Sequence, residues 1–507
     1  MGGGGESHAT PQRLLLKYGN RHGLIAGATG TGKTVTLQIL AEGFSAAGVP
    51  VFLADVKGDL AGLAASGSPA GKLHDAFVAR SQTIGLDLKY REFPVTFWDL
   101  YGTQGHPVRT TAAEMGPLLL SRMLDLTEPQ EGVLNVAFRL ADEEELPLLD
   151  LKDLQAMLVF IANHASDISA RYGLVSPASI GAIQRRLLVL ENQGGAQLFG
   201  EPALDLADMM SLAPDGRGRI NILAADRLMQ SPRLYATFLL WLLSELFEDL
   251  PEVGDPDKPR FVFFFDEAHL LFDDAPKALV DKVEQVARLI RSKGVGIYFI
   301  TQQPADVPDD ILAQLGNRVQ HALRAFTAKD QQDLAKAAQT YRDNPRFSTK
   351  TAIREVGTGE ALTSFLENKG IPGIVEKTLV RPPSSMLGTI DAGLRAQIIA
   401  ASPFRGKYDV TLDRDSAFER LRARAGVAAR DAAKPDADAA PAPREFNTGR
   451  RYEGGAARRD VPEPKPRSSG RSDSIGEAFA KSFARQLGNK SGQAIVRGVL
   501  GSLFRRR

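Results

Sequence analysis

Residues 24–55 read LIAGATGTGKTVTLQILAEGFSAAGVPVFLAD, and this stretch decides the predicted fold. A short apolar run, Leu24 to Ala26, ends in a glycine-rich turn. The segment from Thr34 to Ser45 then carries apolar residues at helical spacing, and Val51 to Ala54 is a second apolar run of strand length. Strand, helix and strand in this order predict a parallel sheet with helices packed on its faces.

The turn after the first strand, Gly27-Ala-Thr-Gly-Thr-Gly-Lys-Thr34, matches the P-loop pattern G-x-x-x-x-G-K-[ST] in full. Glycines allow such a loop to turn its backbone N–H groups toward phosphate oxygens. We predict that Lys33 neutralises the terminal phosphates of ATP and that Thr34 offers its hydroxyl to Mg²⁺. A chance glycine-rich turn is the alternative, but the flanking strand and helix are those of a P-loop. The predicted nucleotide-binding residues are Gly27, Ala28, Thr29, Gly30, Thr31, Gly32, Lys33 and Thr34.

A further apolar run, Phe261 to Phe265, is followed directly by Asp266 and Glu267. A buried strand of this kind delivers its carboxylates at the carboxyl end, where ligands bind in parallel sheets. We predict that Asp266 serves the outer shell of Mg²⁺ and that Glu267 polarises the attacking water. Alone this pattern is weak, and the preceding P-loop makes it specific. Glu267 also favours hydrolysis over phosphate transfer to an acceptor hydroxyl.

The strand predicted at Gly296 to Thr301 ends in Gln302 and Gln303 before a proline. If this strand lies beside Phe261 to Phe265, a polar side chain at its tip can contact the terminal phosphate or hold the water. We predict this role for Gln302. A polar strand end that enters a proline turn is the alternative.

These patterns predict an α/β fold: a RecA-like parallel sheet flanked by helices, with a large mainly helical insertion and a C-terminal amphipathic helical tail. Arg354 to Leu366, with two glycines in its middle, is predicted as a hairpin near the sheet edge. The predicted divisions are 1–66 and 216–385 for the ATPase domain, 67–215 for the insertion, 386–427 for a helical extension, 428–472 for a disordered linker and 473–507 for a basic amphipathic tail.

The predicted tail differs from the rest of the chain in pattern and charge. Ile475, Phe479, Phe483 and Leu487 fall at successive steps of four residues, which predicts an amphipathic helix. From Arg444 onward there are fifteen Lys and Arg against six Asp and Glu, which leaves forty-seven against fifty-five in the remainder. A mildly acidic body limits any nucleic-acid contact to a local surface. The tail packs on the body or a neighbouring subunit, docks on a protein partner, or contacts an anionic membrane surface.

Composition is that of an ordinary globular protein, with 43% hydrophobic and 24% charged residues. The absence of cysteine excludes disulfides, thiolate zinc sites and cysteine nucleophiles. No run of eighteen apolar residues predicts a membrane span, and Met1 to Glu6 lacks the apolar region of a secretion signal. We therefore expect a cytoplasmic protein, with membrane association only through the tail.

Six short motifs, in this order over residues 10–385, resemble the HerA-like branch of the HerA/FtsK ATPases, and within it a bacterial group of poorly defined role. They are Gly27-Ala-Thr-Gly-Thr-Gly-Lys-Thr34, Asp55-Val-Lys-Gly-Asp-Leu60, Phe265-Asp-Glu-Ala-His269, Arg288-Leu-Ile-Arg-Ser-Lys-Gly294, Thr301-Gln-Gln-Pro304 and Gly316-Asn-Arg-Val319. Each motif is short, and the ordered set is specific. The helical insertion and the tail depart from the archaeal pattern, which leaves the substrate open.

This resemblance implies a hexameric ring with ATP at the subunit interfaces, moving double-stranded DNA through a central pore. In such rings an arginine of the neighbouring subunit stabilises the transition state. The resemblance implies Arg291 and Arg318 for this role, and Arg288 less strongly, although an arginine on a helix is more often a solvated surface charge. It gives no role for Asp55 or Lys57.

Three functions stay open at this point, all driven by Mg²⁺-dependent ATP hydrolysis. The first is a DNA translocase or helicase. The second is an assembly or regulatory ATPase that docks on a protein partner or a membrane surface through residues 473–507. In the third, the basic tail binds nucleic acid non-specifically while the ring does other work.

Overall fold

The computed structural model describes residues 1–272 and 277–432. The strands are β1 (Gly2–Gly4), β2 (Thr10–Gln12), β3 (Gly23–Ala26), β4 (Val51–Asp55), β5 (Val95–Asp99), β6 (His106–Pro107), β7 (Ile220–Ala224), β8 (Phe261–Phe265), β9 (Val295–Thr301), β10 (Asn317–Gln320), β11 (Glu360–Ser364) and β12 (Glu376–Val380). The helices are α1 (Lys33–Ala46), α2 (His74–Thr83), α3 (Ala112–Met123), α4 (Glu128–Glu143), α5 (Leu151–Asn163), α6 (Ala165–Tyr172), α7 (Pro177–Leu190), α8 (Ala196–Leu198), α9 (Leu206–Met209), α10 (Pro232–Asp249), α11 (Lys277–Leu289), α12 (Asp309–Leu312), α13 (Ala328–Gln339), α14 (Thr349–Glu355), α15 (Ala392–Ala401) and α16 (Ala417–Ala432). Residues 433–507, which hold most of the predicted linker and the whole predicted tail, lie outside the described residues.

One twelve-stranded sheet runs in the order β2-β1-β12-β11-β10-β3-β9-β8-β4-β7-β5-β6. From β10 to β6 the neighbouring strands are parallel. From β10 through β11, β12 and β1 to β2 the pairs are antiparallel. The predicted parallel sheet flanked by helices is therefore confirmed, and the P-loop follows a strand in its middle. The strand predicted beside Phe261–Phe265 is β9, which pairs with β8 residue for residue.

Both faces of the central strands are buried, as a parallel sheet covered by helices requires. On one face Phe264 of β8 packs against Phe44 of α1, with ring centroids 6.3 Å apart. On the other face Phe263 stacks on Phe52 of β4 at 4.5 Å. Each such buried side chain stabilises the fold by about 1.5–3 kcal/mol. The apolar residues at helical spacing in α1 thus fasten the P-loop helix to the sheet.

The predicted helical insertion, residues 67–215, contains helices α2 to α9 and also two strands of the main sheet. Strand β5 pairs in parallel with β7 over five residues, and Trp98 within it is fully buried. The sheet therefore continues through part of the predicted insertion. The described chain also departs from the predicted divisions, because it forms two compact units, residues 1–131 with 185–413, and residues 132–184 with 414–432.

The hairpin predicted at Arg354 to Leu366 is wrong. Its first two residues end helix α14, and only the second half forms a strand, β11. Strand β11 pairs with β10 on one side and with β12 on the other. Residues Val356 to Gly359 form the turn between α14 and β11, and the two glycines belong to this turn.

The second unit is built from α5, α6 and α16 together with parts of α4 and α7. Asp153 of α5 is buried, and its Oδ1 accepts a hydrogen bond from the backbone N–H of Phe418, 2.8 Å away at the start of α16. This bond joins two segments that are far apart in the sequence. Within the described ranges no helix combines the length and apolar composition needed to cross a bilayer.

A segment after β12, residues 381–388, crosses helix α1, and we call it the strap. Glu42 of α1 is 1% exposed and accepts hydrogen bonds from Arg381 and from the backbone of Ser384 and Ser385. The arginine also neutralises the buried charge across 2.8 Å. The strap continues by backbone bonds, from Met386 to Ala65 at 2.9 Å and from Gly62 to Gly388 at 2.9 Å. The chain beyond the last strand is therefore part of the folded unit.

Candidate nucleotide-binding site

The candidate site lies at the carboxyl edge of the parallel sheet, where β3, β9, β8 and β4 end side by side. In the register Ala26 of β3 lies opposite Thr301 of β9. Phe265, the last residue of β8, lies opposite Phe299. Since the P-loop follows Ala26 and the Asp-Glu pair follows Phe265, the topology brings both predicted halves to the same edge.

The P-loop is anchored on both sides by the neighbouring strands. Its first amide, of Gly27, donates to the Thr301 carbonyl at 3.3 Å, and the amide of Ala28 donates to the Ala322 carbonyl at 2.8 Å. Gly30 and Gly32 adopt φ values of 79° and 112°, which side chains disfavour. Helix α1 begins directly after Gly32, so its first-turn N–H groups have no partner within the helix. This geometry suits an anion.

Lys33 is folded back onto its own loop. Its Nζ donates to the carbonyl of Gly27 at 2.5 Å and to that of Ala28 at 3.3 Å. Burial lowers the pKa of Lys33, and the charges of Glu267 and Asp266 oppose this shift. The ammonium is thus hydrogen-bonded to neutral carbonyl oxygens of the loop. The charged oxygens of a bound phosphate would replace them as stronger acceptors.

His321 contacts both the P-loop and the helix that follows it, and this supporting role was not predicted from the sequence. Its Nδ1 lies 2.9 Å from the Glu360 carbonyl, which can only accept, so Nδ1 carries the proton. Its Nε2 therefore accepts from the hydroxyl of Thr36 in α1, 2.8 Å away. A Cβ on Gly27 would approach the Cβ of His321 to 2.5 Å, so only glycine fits there. Burial lowers the pKa of His321 to about 4, which keeps the ring neutral.

A second support is the turn between α14 and β11. The amide of Gly359 donates to the carbonyl of Thr31 in the P-loop at 3.2 Å. Arg80 of α2 holds this turn by donating to the Gly359 carbonyl at 3.0 Å. Gly359 has a φ of 75°, and a Cβ on it would meet the Arg80 guanidinium. The conformation of the P-loop thus depends on residues more than three hundred positions downstream of it.

The Asp-Glu pair lies as predicted at the end of β8. Asp266 Oδ1 accepts from the backbone N–H of Glu267 at 3.0 Å. Burial and the neighbouring Glu267 raise the pKa of Asp266 to about 7. A bound divalent cation would reverse that shift, since it favours the ionised carboxylate.

Glu267 adopts the left-handed conformation, with φ 50° and ψ 49°, which non-glycine residues rarely adopt. Its Oε1 accepts from Lys57 Nζ at 2.9 Å, and its Oε2 lies 3.5 Å from Nδ1 of His269. Burial raises the pKa of Glu267, but the hydrogen bond and charge of Lys57 outweigh it, and the net pKa is lowered. Lys57 therefore favours the ionised form of the Glu267 carboxylate.

Gln302 is exposed at the tip of β9, next to the P-loop strand. The neighbouring Thr301 is buried instead, and its hydroxyl donates to Asp306 at 2.5 Å. The same carboxylate accepts from the backbone N–H of Gln303 at 2.9 Å. Asp306 therefore fixes the turn that carries Gln302, whose contact with phosphate or water stays a prediction.

The three candidate arginines lie away from the P-loop of their own subunit. Arg288 and Arg291 precede the start of β9, at the amino edge of the sheet, and pair with Glu284 and Asp255. Arg318 lies opposite Leu24 in the register. Its guanidinium donates to backbone carbonyls of Leu312, Leu315 and Thr340. Any role at a nucleotide would have to be in a neighbouring subunit and stays a prediction.

The residues present fit Mg²⁺ together with a nucleotide. Among the described residues no group of three or more His, Asp and Glu is arranged to hold a metal ion by itself. Mg²⁺ is commonly held by one or two protein oxygens together with phosphates and waters. The hydroxyl of Thr34 in the first turn of α1 and the carboxylate of Asp266 offer such oxygens.

Comparison with solved structures gives weak likenesses. The bacterial conjugative coupling protein TrwBdeltaN70, in its unbound monoclinic form, is 14% identical with a TM-score of 0.48, over 73% of this chain and 89% of that one. VirB4 of Thermoanaerobacter pseudethanolicus is 15% identical with a TM-score of 0.47, over 75% and 95% of the two chains. A complex of the plasmid coupling protein TrwB with ADP and Mg²⁺ is 14% identical with a TM-score of 0.45, over 76% and 92%.

No curated protein matches the chain. The family described as helicase HerA-like C-terminal matches residues 4–507, nearly the whole sequence. That span contains the P-loop, the Asp-Glu strand and the strand ending in Thr301. The resemblance inferred from six short motifs is therefore confirmed, and this protein belongs to the helicase HerA-like C-terminal family.

Proposed function

We propose that this protein hydrolyses ATP with Mg²⁺ at the carboxyl edge of its sheet. The observation that carries the proposal is the convergence of Lys33, Asp266 and Glu267 at that edge, with their charges acting on one another. Lys33 and the N–H groups of the P-loop bind the phosphates, and Gly27 to Thr34 position them. Thr34, with Asp266 in the outer shell, would hold Mg²⁺, which would supply Lewis-acid stabilisation of phosphate charge.

Glu267 polarises the attacking water in this proposal. Its carboxylate is held ionised although it is largely buried, which is the state that a general base requires. Gln302, at the adjacent strand tip, contacts the terminal phosphate or orients the water. An arginine of a neighbouring subunit stabilises transition-state charge, and the candidates are Arg291 and Arg318, with weaker support for Arg288.

We further propose that ATP turnover drives movement along double-stranded DNA by a ring of subunits, as expected for a HerA-like motor. Family membership supports this proposal, and the separation of all three candidate arginines from their own P-loop fits a site completed between subunits. Six copies in a closed ring give each site the same neighbour.

The test is the rate of ATP hydrolysis with duplex DNA, with RNA and without polymer, using Lys33→Ala as the inactive control. We expect stimulation by duplex DNA that fades as salt rises, because phosphate contacts release counterions. Activity without stimulation by any nucleic acid would contradict the translocase proposal. That result would favour an assembly or regulatory ATPase and leave ATP hydrolysis intact.

A further inference from the structure

Lys57, whose role was unassigned, is presented to the candidate site by a rigid loop. The loop follows β4, and the buried Asp55 fixes its shape by accepting from the backbone N–H of Leu60 at 3.1 Å. Gly58 provides the left-handed turn, with a φ of 74°. The Asp55 carbonyl is held as well, by the N–H of Ala225 at 3.0 Å. The fold of the loop thus fixes the backbone position from which the Lys57 side chain extends.

The side chain of Lys57 is 53% exposed, yet its ammonium reaches Glu267 Oε1 at 2.9 Å. The Glu267 side chain is 11% exposed, and its Oε2 makes no hydrogen bond among the described residues. Nδ1 of His269 lies 3.5 Å from that oxygen. Lys57 is therefore the group that holds the carboxylate in its present position.

Lys57 is also within electrostatic range of Lys33, the predicted phosphate-binding lysine. The charge of Lys57 lowers the pKa of Lys33, while Glu267, Asp266 and Asp306 raise it, so these groups lie within range of one another. Two ammonium groups, of Lys33 and Lys57, are thus within electrostatic range of four carboxylates, those of Asp59, Asp266, Glu267 and Asp306. A nucleoside triphosphate would add several negative charges to this cluster and compete for both cations.

We infer that Lys57 is shared between two acceptors: it binds Glu267 when no terminal phosphate is present, and it transfers to the terminal phosphate of a bound nucleoside triphosphate, which frees Glu267. The inference rests on the proposed binding of ATP at the P-loop. A lysine suits this exchange because its ammonium is a compact charge on a flexible stem. A phosphate with more than one negative charge is the stronger acceptor for such a donor.

This exchange would make the water-polarising carboxylate available only while a terminal phosphate is bound. After hydrolysis and loss of phosphate, Lys57 returns to Glu267, and the site with a diphosphate is again held in its resting arrangement. Lys57 would thus distinguish tri- from diphosphate, whereas Lys33 can contact the β-phosphate of either nucleotide.

The test measures binding of ADP and of the non-hydrolysable analogue AMP-PNP to the full-length protein. Four proteins are compared: wild type, Lys57→Met, Glu267→Gln and the double variant. We expect Lys57→Met to weaken AMP-PNP binding by about tenfold while ADP binding stays within about twofold. Glu267→Gln releases the ammonium and should tighten AMP-PNP binding, and the double variant should match Lys57→Met.

Two controls and three outcomes complete the design. Lys57→Arg should keep the preference for AMP-PNP, and Lys89→Met, at an exposed lysine paired with Asp87, should change nothing. Equal weakening of both nucleotides by Lys57→Met would overturn the inference. So would tightening by Glu267→Gln that persists in the double variant, because the gain would then not pass through Lys57. A wild-type protein that binds neither nucleotide would refute the proposed function itself.

Discussion

Glu267 is the residue on which the proposed chemistry depends most. Glu267→Gln keeps the size of the side chain but removes its capacity to take a proton. We expect ATP turnover to fall by about 10²–10⁴, the usual contribution of a general base. Nucleotide binding should persist, since the P-loop contacts are unchanged. Steady-state hydrolysis and equilibrium binding, measured on the same preparation, check both statements.

A matched control for this change is Glu355→Gln, at an exposed position where α14 ends. It removes the same charge from the surface and should leave turnover unchanged. Turnover by Glu267→Gln within a few-fold of the wild type would assign the water-polarising role to another group.

His321 couples the P-loop to the pH dependence of stability. Its pKa is about 4 in the folded protein and 6.5 as the ordinary value, so the unfolded chain binds a proton first as the pH falls. The wild type should therefore lose stability below pH 6.5. For this residue alone the loss is about 2 kcal/mol by pH 5. His321→Gln, which cannot be protonated, should not show this loss.

Urea unfolding of both proteins between pH 5 and about pH 7.5 measures this difference. The raised pKa values of Asp266 and Asp55, about 7 and about 6, act in the opposite direction, because these carboxyls bind protons first in the folded state. Their contribution cancels when the variant is subtracted from the wild type. A stability difference that does not change with pH would show that His321 binds a proton as readily in the folded as in the unfolded protein.

Residues with a local pattern could be predicted, and residues that act through long-range contacts could not. The P-loop and the Asp-Glu pair each lie within nine residues of sequence next to a recognisable strand. Lys57 meets Glu267 across 210 positions, and His321 meets Thr36 across 285. No spacing in the sequence connects such partners, because the sheet order brings them together.

At the scale of elements, the turn between α14 and β11 controls the P-loop through one glycine. Gly359→Ala forces an alanine to adopt a φ of 75° and should destabilise the protein by about 1–2 kcal/mol. Because the Gly359 amide bonds to Thr31, we also expect weaker nucleotide binding. Urea unfolding and titration with ATP analogues measure the two effects.

Gly357→Ala in the same turn is the matched control. Its backbone lies outside the left-handed region, and a Cβ there would meet Glu360 Oε2 at an ordinary 3.6 Å. Stability and nucleotide affinity should stay close to those of the wild type. If the two alanine variants behave alike, the P-loop does not depend on the conformation of this turn.

Most elements follow from hydrophobic periodicity, and the exceptions have physical reasons. The predicted strands at 24–26, 51–54 and 261–265 and the helix at 34–45 match β3, β4, β8 and α1 within two residues. Strand β1 is three glycines, which have low strand propensity; a Cβ on Gly2 would approach the Leu379 carbonyl oxygen to 2.1 Å. The backbone of β1 therefore lies close to that of β12, which suits residues without a side chain. A pattern of residue types does not show such an approach.

At the scale of the assembled molecule, the candidate arginines differ in how far their guanidinium groups are already used within the chain. The guanidinium of Arg318 is already used by three backbone carbonyls, and burial lowers its pKa. Arg291 is 40% exposed and makes one surface ion pair of the kind that contributes little to stability. Arg291 can therefore reach a neighbouring subunit at small cost, and it is our first choice for the residue that acts between subunits.

Mixing two inactive variants tests this choice. Arg291→Ala lacks the donated arginine and Glu267→Gln lacks the base, so each alone should be nearly inactive. In a mixed ring, a site is complete wherever a subunit with an intact Glu267 adjoins a subunit with an intact Arg291. Random mixing in equal amounts makes about a quarter of the interfaces complete, and turnover should recover to about that fraction.

Arg139→Ala serves as the comparison, since its exposed side chain pairs with Glu143 on its own helix. It should remain active without mixing. Mixtures of Arg291→Ala with Glu267→Gln that stay inactive would show that Arg291 acts within its own subunit or only in folding.

The strap over α1 sets a limit on how far the chain can be shortened. Cutting the chain after β12 would remove Arg381, Ser384 and Ser385, which all donate hydrogen bonds to Glu42. The Glu42 side chain, in a residue only 1% exposed, would lose its ion pair with the arginine. For a carboxylate that stays buried, loss of its partner costs about 3–5 kcal/mol, a large part of the stability of a typical domain, and this cost falls as far as water reaches Glu42 once the strap is removed. An isolated ATPase fragment should therefore extend at least to Gly388, where the last strap contact with Gly62 is made.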